Sequence, residues 1–201
     1  MLSGWLFSQP LLASERTILV MGDSISAAYG MNIELGWVAL LERRLRDQAQ
    51  NYEVINASIS GETSGGGLRR LPALLEAHQP AAVIIELGGN DGLRGYPIAQ
   101  LRSNLRDMTE RAQAEDAHVL ILGMEIPPNM GRRYTQLFRE SFDQVAHDTG
   151  ALSSPFLLAG IATEAALMQQ DGIHPTAAAQ TQIVDNIWPS ILELLDLVSE
   201  H

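Results

Sequence analysis

TILVMGDSIS, residues 17–26, joins a run of five apolar or β-branched residues to a run of small and polar ones. The apolar run is continuous and does not alternate, which is typical of a strand covered on both faces in a parallel sheet. The polar residues come at the point where such a strand would leave the sheet. This stretch therefore predicts a buried parallel strand with a polar loop at its carboxyl end.

Four further runs of the same kind follow at intervals that leave room for helices: YEVIN (52–56), AVIIEL (82–87), HVLILG (118–123) and a weaker run over residues 151–157. Between them, apolar residues recur at helical spacing, as at Leu101, Leu105 and Met108. Strands that alternate with helices predict an α/β domain with helices on both faces of a parallel sheet. Because no linker-like stretch divides the pattern, we expect one domain over residues 16–201.

The first 15 residues differ from the rest of the chain. Residues 1–14, MLSGWLFSQPLLAS, carry no charged side chain and are mostly apolar, and small residues precede Glu15. This pattern resembles the apolar and cleavage regions of a secretory signal peptide, although the basic leading segment is missing. We expect a signal remnant over residues 1–15 and a periplasmic or secreted protein. A natural apolar arm, a cloning remnant and a cytoplasmic location are the alternatives.

Composition narrows the possible partners. The chain has 24 acidic and 13 basic residues and a formal net charge of −11, so its surface repels the phosphate backbone of nucleic acids. The sequence has no run of 18 or more apolar residues, so we expect no transmembrane helix. It has no cysteine, which excludes disulfides, thiolate zinc sites and a cysteine nucleophile. We expect a monomer that acts on a small molecule.

Ser24 follows the first predicted strand and lies in the sequence Gly-Asp-Ser-Ile-Ser. Its hydroxyl could be exposed at a strand-to-helix turn, where the N-terminus of a helix stabilises developing negative charge. The alternative is a helix cap, a common role for Ser and Asp, and this motif alone favours the cap. The G-x-S-x-G elbow of α/β-hydrolases is absent, so that fold is not supported.

Asp171 and His174 lie three residues apart in the sequence Asp-Gly-Ile-His-Pro, ahead of the last predicted helix. In a turn, this Asp can accept the Nδ1–H of the imidazole, which leaves Nε2 to act as a base toward a serine. An ordinary turn before a helix is the alternative. The chain order Ser, Asp, His is compatible with a triad, because triads are defined by geometry.

Gly61 and Asn90 follow the second and third predicted strands. A tetrahedral intermediate needs N–H donors around its oxyanion, and these residues could supply a backbone and a side-chain N–H. Taken singly, each is more simply a turn residue. Glu86 interrupts an apolar strand, so we expect it to be buried and hydrogen-bonded in support of the turn over residues 88–90.

Four sequence blocks together resemble those of the SGNH/GDSL hydrolases. The blocks are GDSIS (22–26), NASISGETS (56–64), ELGGNDGLRG (86–95) and DGIHP (171–175). The second and third are similar in particular to the bacterial multifunctional thioesterase I/protease I/lysophospholipase branch. The likeness extends from about Thr17 to the final helix. The chain has Ile25 where many members carry Leu, which is a conservative change.

The resemblance implies a fold and a set of roles. The fold would be a flavodoxin-like three-layer α/β/α sandwich with a five-stranded parallel sheet in the order 2-1-3-4-5. Ser24 would be the nucleophile, with His174 and Asp171 completing the triad. The oxyanion hole would consist of the Ser24 and Gly61 backbone N–H groups and the Asn90 amide. Members of this branch cleave acyl thioesters, lysophospholipids and simple esters, and need no cofactor.

Apolar residues are common in the loops beside this expected site. Together they could line a groove for a medium or long acyl chain, although packing between loops is the alternative for each one. They are Leu93, Tyr96, Pro97, Met124, Ile126, Pro127 and Met130.

Two other functions remain open from the sequence. The same fold and triad serve carbohydrate deacetylases, and the fold alone would also suit a non-catalytic flavodoxin-like module that binds a nucleotide or flavin. A metal site is not expected, because His118, His147 and His201 lack partners at ligand spacing and no H-E-x-x-H is present.

Overall fold

Five parallel strands form one sheet in the computed structural model, which describes residues 16–48 and 50–200. The strands are β1 (Arg16–Gly22), β2 (Tyr52–Asn56), β3 (Ala82–Glu86), β4 (His118–Gly123) and β5 (Leu152–Phe156). Their order is β2-β1-β3-β4-β5. The predicted flavodoxin-like sheet is confirmed in strand number, direction and order. The expected signal remnant over residues 1–15 lies outside the described residues.

Burial explains why some strands were easier to recognise than others. β3 is buried along its whole length, because it pairs with β1 on one side and β4 on the other. β5 lies at an edge and is only partly buried. An edge strand tolerates a proline because one side needs no ladder hydrogen bond, and Pro155 lies in β5. The weak apolar pattern over residues 151–157 follows from this edge position.

Helices cover both faces of the sheet. They are α1 (Trp37–Asp47), α2 (Ser64–His78), α3 (Gly89–Leu93), α4 (Ile98–Ala114), α5 (Arg132–Thr149) and α6 (Gln180–Ser199). Buried side chains of α1 and α6 pack with Ile18, Val20 and Ile84 on one face. Those of α2, α4 and α5 pack with Leu19 and Val83 on the other. Alternate residues of each strand thus face opposite helical layers, as the continuous apolar runs predicted.

Local signals set the ends of the helices. The Thr63 side chain caps α2 by accepting a hydrogen bond of 3.2 Å from the Gly66 N–H. At the C-terminal end of α5, Gly150 ends the helix in the left-handed conformation with φ 70°. Within the described residues, no helix is both long enough and apolar enough to cross a membrane.

The loop after β2 continues alongside the end of β1. The Ala57 N–H donates to the Val20 carbonyl at 2.9 Å, and the Ile59 N–H donates to the Gly22 carbonyl at 3.1 Å. The chain that leads to Gly61 is therefore fastened beside the turn that carries Ser24. In parallel sheets this carboxyl edge is where ligands bind.

Candidate active site

Ser24 lies in a series of turns and not at the start of a helix. The Ala27 N–H donates to the Asp23 carbonyl at 2.9 Å, and the Tyr29 N–H donates to the Ser24 carbonyl at 3.0 Å. Right-handed helix cannot continue here because Ala28 has φ 55°. The first α-helix begins at Trp37. The prediction that a helix N-terminus stabilises charge at Ser24 is therefore wrong.

The hydroxyl of Ser24 meets the imidazole of His174. The Ser24 Oγ lies 2.8 Å from His174 Nε2, although the two residues are 150 apart in the chain. His174 Nδ1 lies 2.7 Å from Asp171 Oδ2. A hydroxyl, an imidazole and a carboxylate thus form a continuous line of hydrogen bonds. This is the arrangement in which a serine can lose its proton to a neighbouring base.

Asp171 is held by backbone N–H groups that follow it in the chain. Its Oδ1 accepts the N–H groups of Ile173 at 2.9 Å and His174 at 3.0 Å, while Oδ2 faces the imidazole. The hydrogen bonds from the His174 side chain and from these backbone groups lower the pKa of Asp171 to about 2. The carboxylate is therefore ionised at neutral pH and can hold the imidazole with Nδ1 as the donor.

Tyr29 forms one wall of the site, which the sequence did not reveal. Its ring centroid lies 4.5 Å from that of His174, and the two rings are tilted by 36°. Tyr29 remains about half exposed, with a relative accessibility of 51%. No periodic or motif signal marks it, because its role depends on how the loop after Ser24 folds back toward residue 174.

Asn90 is held by the residue next to the serine. The Asn90 Nδ2 donates to Asp23 Oδ2 at 3.1 Å, and Asp23 Oδ1 accepts the Ile25 N–H at 3.1 Å. Gly89 lets α3 approach Asp23 closely, because a Cβ there would lie 3.1 Å from Asp23 Oδ2. Burial raises the pKa of Asp23 to about 6. The Nδ2 group has two hydrogens, so one stays free for another acceptor.

Glu86 is buried and hydrogen-bonded as predicted, but it supports a different turn. Its Oε2 accepts the Ser26 hydroxyl at 2.6 Å and the Asp23 N–H at 3.2 Å. It therefore braces the Ser24 turn and not residues 88–90, because strand register pairs Glu86 with Gly22. Burial first, and then the charge of Asp23, raise the pKa of Glu86 well above its usual value.

Gly61 has the backbone conformation that favours glycine. Its φ is +80°, and it is exposed at the carboxyl edge. Its carbonyl accepts a hydrogen bond of 3.2 Å from Arg94 Nη2, which joins this loop to the end of α3. The loop that carries Gly61 and the helix that carries Asn90 thus meet beside the Ser24 turn.

The predicted acyl-binding residues lie in two adjacent loops. Leu93 ends α3, and Tyr96 and Pro97 lie exposed between α3 and α4. Ile126 and Pro127 follow β4. The end of α3 lies close to the loop after β4, because a Cβ on Gly92 would lie 2.8 Å from Ile126 Cγ2. A groove for an acyl chain between these loops stays a prediction.

Clusters suited to a metal are absent from residues 16–48 and 50–200, where no group of three or more His, Asp or Glu side chains could hold an ion.

Comparison with known proteins places the chain in a family. A family model described as GDSL-like lipase/acylhydrolase matches residues 20–182. The chain is 52% identical over 183 residues to esterase TesA of Pseudomonas aeruginosa, covering 91% of each. It is 42% identical over 173 residues to thioesterase 1/protease 1/lysophospholipase L1 of Escherichia coli K12, covering 86% of this chain and 82% of that protein.

A solved structure shows the same architecture. The psychrotrophic esterase EstA of a Pseudoalteromonas species, inhibited by monoethylphosphonate, superposes with a TM-score of 0.86 at 46% identity. The match covers 90% of this chain and 99% of EstA. The predicted resemblance is confirmed, and it favours an enzyme over a non-catalytic binding module. The chain belongs to the GDSL-like lipase/acylhydrolase family of hydrolases.

Proposed function

We propose that this protein hydrolyses carboxylic esters and acyl thioesters through an acyl-enzyme formed on Ser24. The observation that carries the proposal is the line of contacts from the Ser24 Oγ through the His174 imidazole to Asp171, at 2.8 and 2.7 Å. Both distances are in the range needed for proton transfer and for holding one tautomer.

Acylation uses these groups in order. His174 Nε2 takes the Ser24 proton as Oγ attacks the substrate carbonyl carbon, and the carbonyl electrons move onto oxygen. The Ser24 and Gly61 backbone N–H groups and the Asn90 amide donate to this oxyanion. The intermediate then collapses, and the leaving alcohol or thiol receives the proton from His174. Asp171 stays ionised throughout and stabilises the imidazolium.

Deacylation repeats the sequence with water. His174 takes a proton from water as the oxygen attacks the acyl carbon of the ester on Ser24. The second intermediate collapses, Ser24 recovers its proton from the imidazolium, and a carboxylic acid leaves. The cycle uses no metal or organic cofactor at any step.

Replacement of Ser24 tests this assignment. Ser24→Ala removes the nucleophile, so we expect hydrolysis of a p-nitrophenyl ester and of an acyl-CoA to fall by roughly 10⁴-fold or more. Ser103→Ala, at an exposed position of α4, is the matched control and should leave both rates unchanged. Wild-type turnover by a folded Ser24→Ala protein would rule out Ser24 as the nucleophile.

Medium and long acyl chains are the proposed substrate class. The exposed apolar side chains of Leu93 and Tyr96 beside the site support this, and the names of the relatives include esterase, thioesterase and lysophospholipase. Each methylene that becomes buried contributes up to about 0.8 kcal/mol, or about fourfold in kcat/KM. We therefore expect kcat/KM to rise along a series of esters from acetyl to decanoyl.

A preference for acetyl esters in that series would contradict this prediction. A protein that prefers acetyl esters has no acyl groove, and assays on acetylated sugars would then identify a carbohydrate deacetylase. Tyr96→Ala, which removes a ring with 42% relative accessibility, should reduce the preference for long chains while leaving acetyl ester hydrolysis unchanged.

The proposal extends to the domain organisation, oligomeric state and cellular location of the protein. We infer that residues 16–201 form one catalytic domain, that the protein acts as a monomer without nucleic acid, and that it works in the periplasm or outside the cell. The apolar residues 1–14 support the location, and the net charge of −11 supports the absence of a nucleic-acid partner. Cell fractionation tests the location, with recovery in the cytoplasm as the contrary outcome.

A further inference from the structure

The loop that carries Asp171 and His174 has a well-defined internal shape. Met168 and Pro175 form an antiparallel bridge, and the Thr176 N–H donates to the Leu167 carbonyl at 2.8 Å. Within the loop, the Gly172 N–H donates to the Gln169 carbonyl at 2.9 Å. These bonds shape the loop, but they do not set its position relative to the separate turn that carries Ser24.

Gln169 spans the gap between the two segments. Its Nε2 donates to the Tyr29 carbonyl at 2.8 Å and to the Pro175 carbonyl at 3.1 Å. Its backbone N–H donates to the His174 carbonyl at 2.7 Å. Both amide hydrogens are thus used, one toward each of the segments that hold the hydroxyl and the imidazole.

The opposite segment is shaped to receive this side chain. Gly30 has φ +76°, and a Cβ there would lie 2.4 Å from Gln169 Oε1. Tyr29, whose carbonyl Gln169 holds, is also the residue whose ring lies against the His174 imidazole. One side chain therefore contacts both segments and the residue whose ring forms the wall beside His174.

We propose that Gln169 is a positioning residue that sets the His174 imidazole within proton-transfer distance of the Ser24 hydroxyl. The proposal rests on the function given above, in which His174 takes the Ser24 proton. Proton transfer needs a separation of about 2.6–3.2 Å, and a displacement of about 1 Å can cost on the order of a hundredfold in rate. A bridge 2.8 Å from one segment and 3.1 Å from the other supplies that precision.

Paired substitutions at neighbouring positions test the role. Gln169→Met keeps the length of the side chain and removes both donors, and Gln169→Glu keeps the shape but turns an ionised oxygen toward two carbonyls. The same two changes at the exposed Gln170 control for composition and charge. We expect kcat per active site, titrated with a fluorophosphonate, to fall at least about tenfold in both Gln169 variants. KM should stay within about twofold, and the Gln170 variants should match the wild type.

A purely structural role would give a different pattern. Gln169 variants that lose thermal stability but keep wild-type kcat per titrated site would overturn the proposal, as would equal losses at Gln170. If neither Gln169 variant folds, Gly30→Ala disturbs the same bridge from the other side and should show the same loss of kcat. An unchanged kcat in Gly30→Ala would then overturn it. Ser24→Ala, measured in parallel, separates failure of this proposal from failure of the proposed function.

Discussion

Asp23, next to the proposed nucleophile Ser24, uses its backbone N–H and both carboxylate oxygens in hydrogen bonds. Its backbone N–H donates to Glu86, its Oδ1 accepts the Ile25 N–H, and its Oδ2 accepts the Asn90 amide. Both carboxylate oxygens therefore face donors. Above its raised pKa of about 6 the carboxylate is ionised, so both oxygens act as acceptors of these hydrogen bonds. Asp23 thus holds the turn after Ser24 and the amide of Asn90 together.

Asp23→Asn should disturb Asn90 without removing it. Asparagine has one acceptor oxygen, so its NH₂ group must face either the Ile25 N–H or the Asn90 amide. We expect kcat for a p-nitrophenyl ester to fall by on the order of a hundredfold, as when an oxyanion donor is lost, with KM nearly unchanged. Asp47→Asn, exposed at the end of α1, controls for the lost charge. A loss confined to KM would contradict this role.

The same variant predicts a change in how stability depends on pH. Burial raises the pKa of Asp23 from 3.8 to about 6, so between these values the folded protein keeps a proton that the unfolded chain has released. This stabilisation is complete below about pH 4 and is lost as the pH rises through 6, a difference of ~3 kcal/mol. Urea unfolding at pH 4 and pH 7 should show this component in the wild type and not in Asp23→Asn. Equal pH dependence in the two proteins would contradict it.

Residue types were easier to predict than their partners. Each motif alone favoured a helix cap or an ordinary turn, and Ser24, Asp171 and His174 could be selected because their sequence blocks together resemble those of a known family. The partner of Glu86 was predicted wrongly, because the register that pairs it with Gly22 is a long-range property of the sheet. No sequence pattern marks Tyr29 or Gln169, for the same reason. Tyr29 contacts His174, and Gln169 bonds to the Tyr29 carbonyl 140 residues away.

Helix α6 carries a stripe of fully buried side chains along one face. Ile187 is completely buried in the core shared with α1, whereas Leu192 on the same helix is 41% exposed. Ile187→Ala should therefore lower the free energy of unfolding by about 2–5 kcal/mol, because it leaves a cavity. Leu192→Ala should change it by only about 0.5 kcal/mol. Urea denaturation measures both, and equal losses would contradict the assigned faces.

Strands and long helices could be predicted from apolar periodicity, because buried side chains stabilise both and apolar residues mark the buried positions in the sequence. The segment after β1 could not be predicted in this way. The small and polar residues after Ser24 suggested a helix start, but the left-handed conformation of Ala28 interrupts it. Backbone conformation at a single non-glycine residue has no sequence signature, so this error could not be avoided from composition.

For the whole molecule, topology brings the reactive groups together. The loops after β1, β2 and β3 lie at the carboxyl edge because the strands are parallel and adjacent in the order β2-β1-β3. The parallel α/β class followed from the apolar runs, whereas the strand order came from family resemblance. The Ser24 Oγ and His174 Nε2, from residues 150 apart in the chain, reach a separation of 2.8 Å only when the strand order and the strand register are both correct.

Labelling with a fluorophosphonate, followed by mass mapping of the modified residue, tests whether Ser24 is the nucleophile. Ser24 and Ser26 lie two residues apart, but the Ser26 hydroxyl is buried and bonded to Glu86, whereas that of Ser24 faces His174. We predict one phosphonyl group per chain, located on Ser24, formed in step with the loss of esterase activity. Modification at Ser26 or elsewhere, or full inhibition with Ser24 unmodified, would show that Ser24 is not the nucleophile.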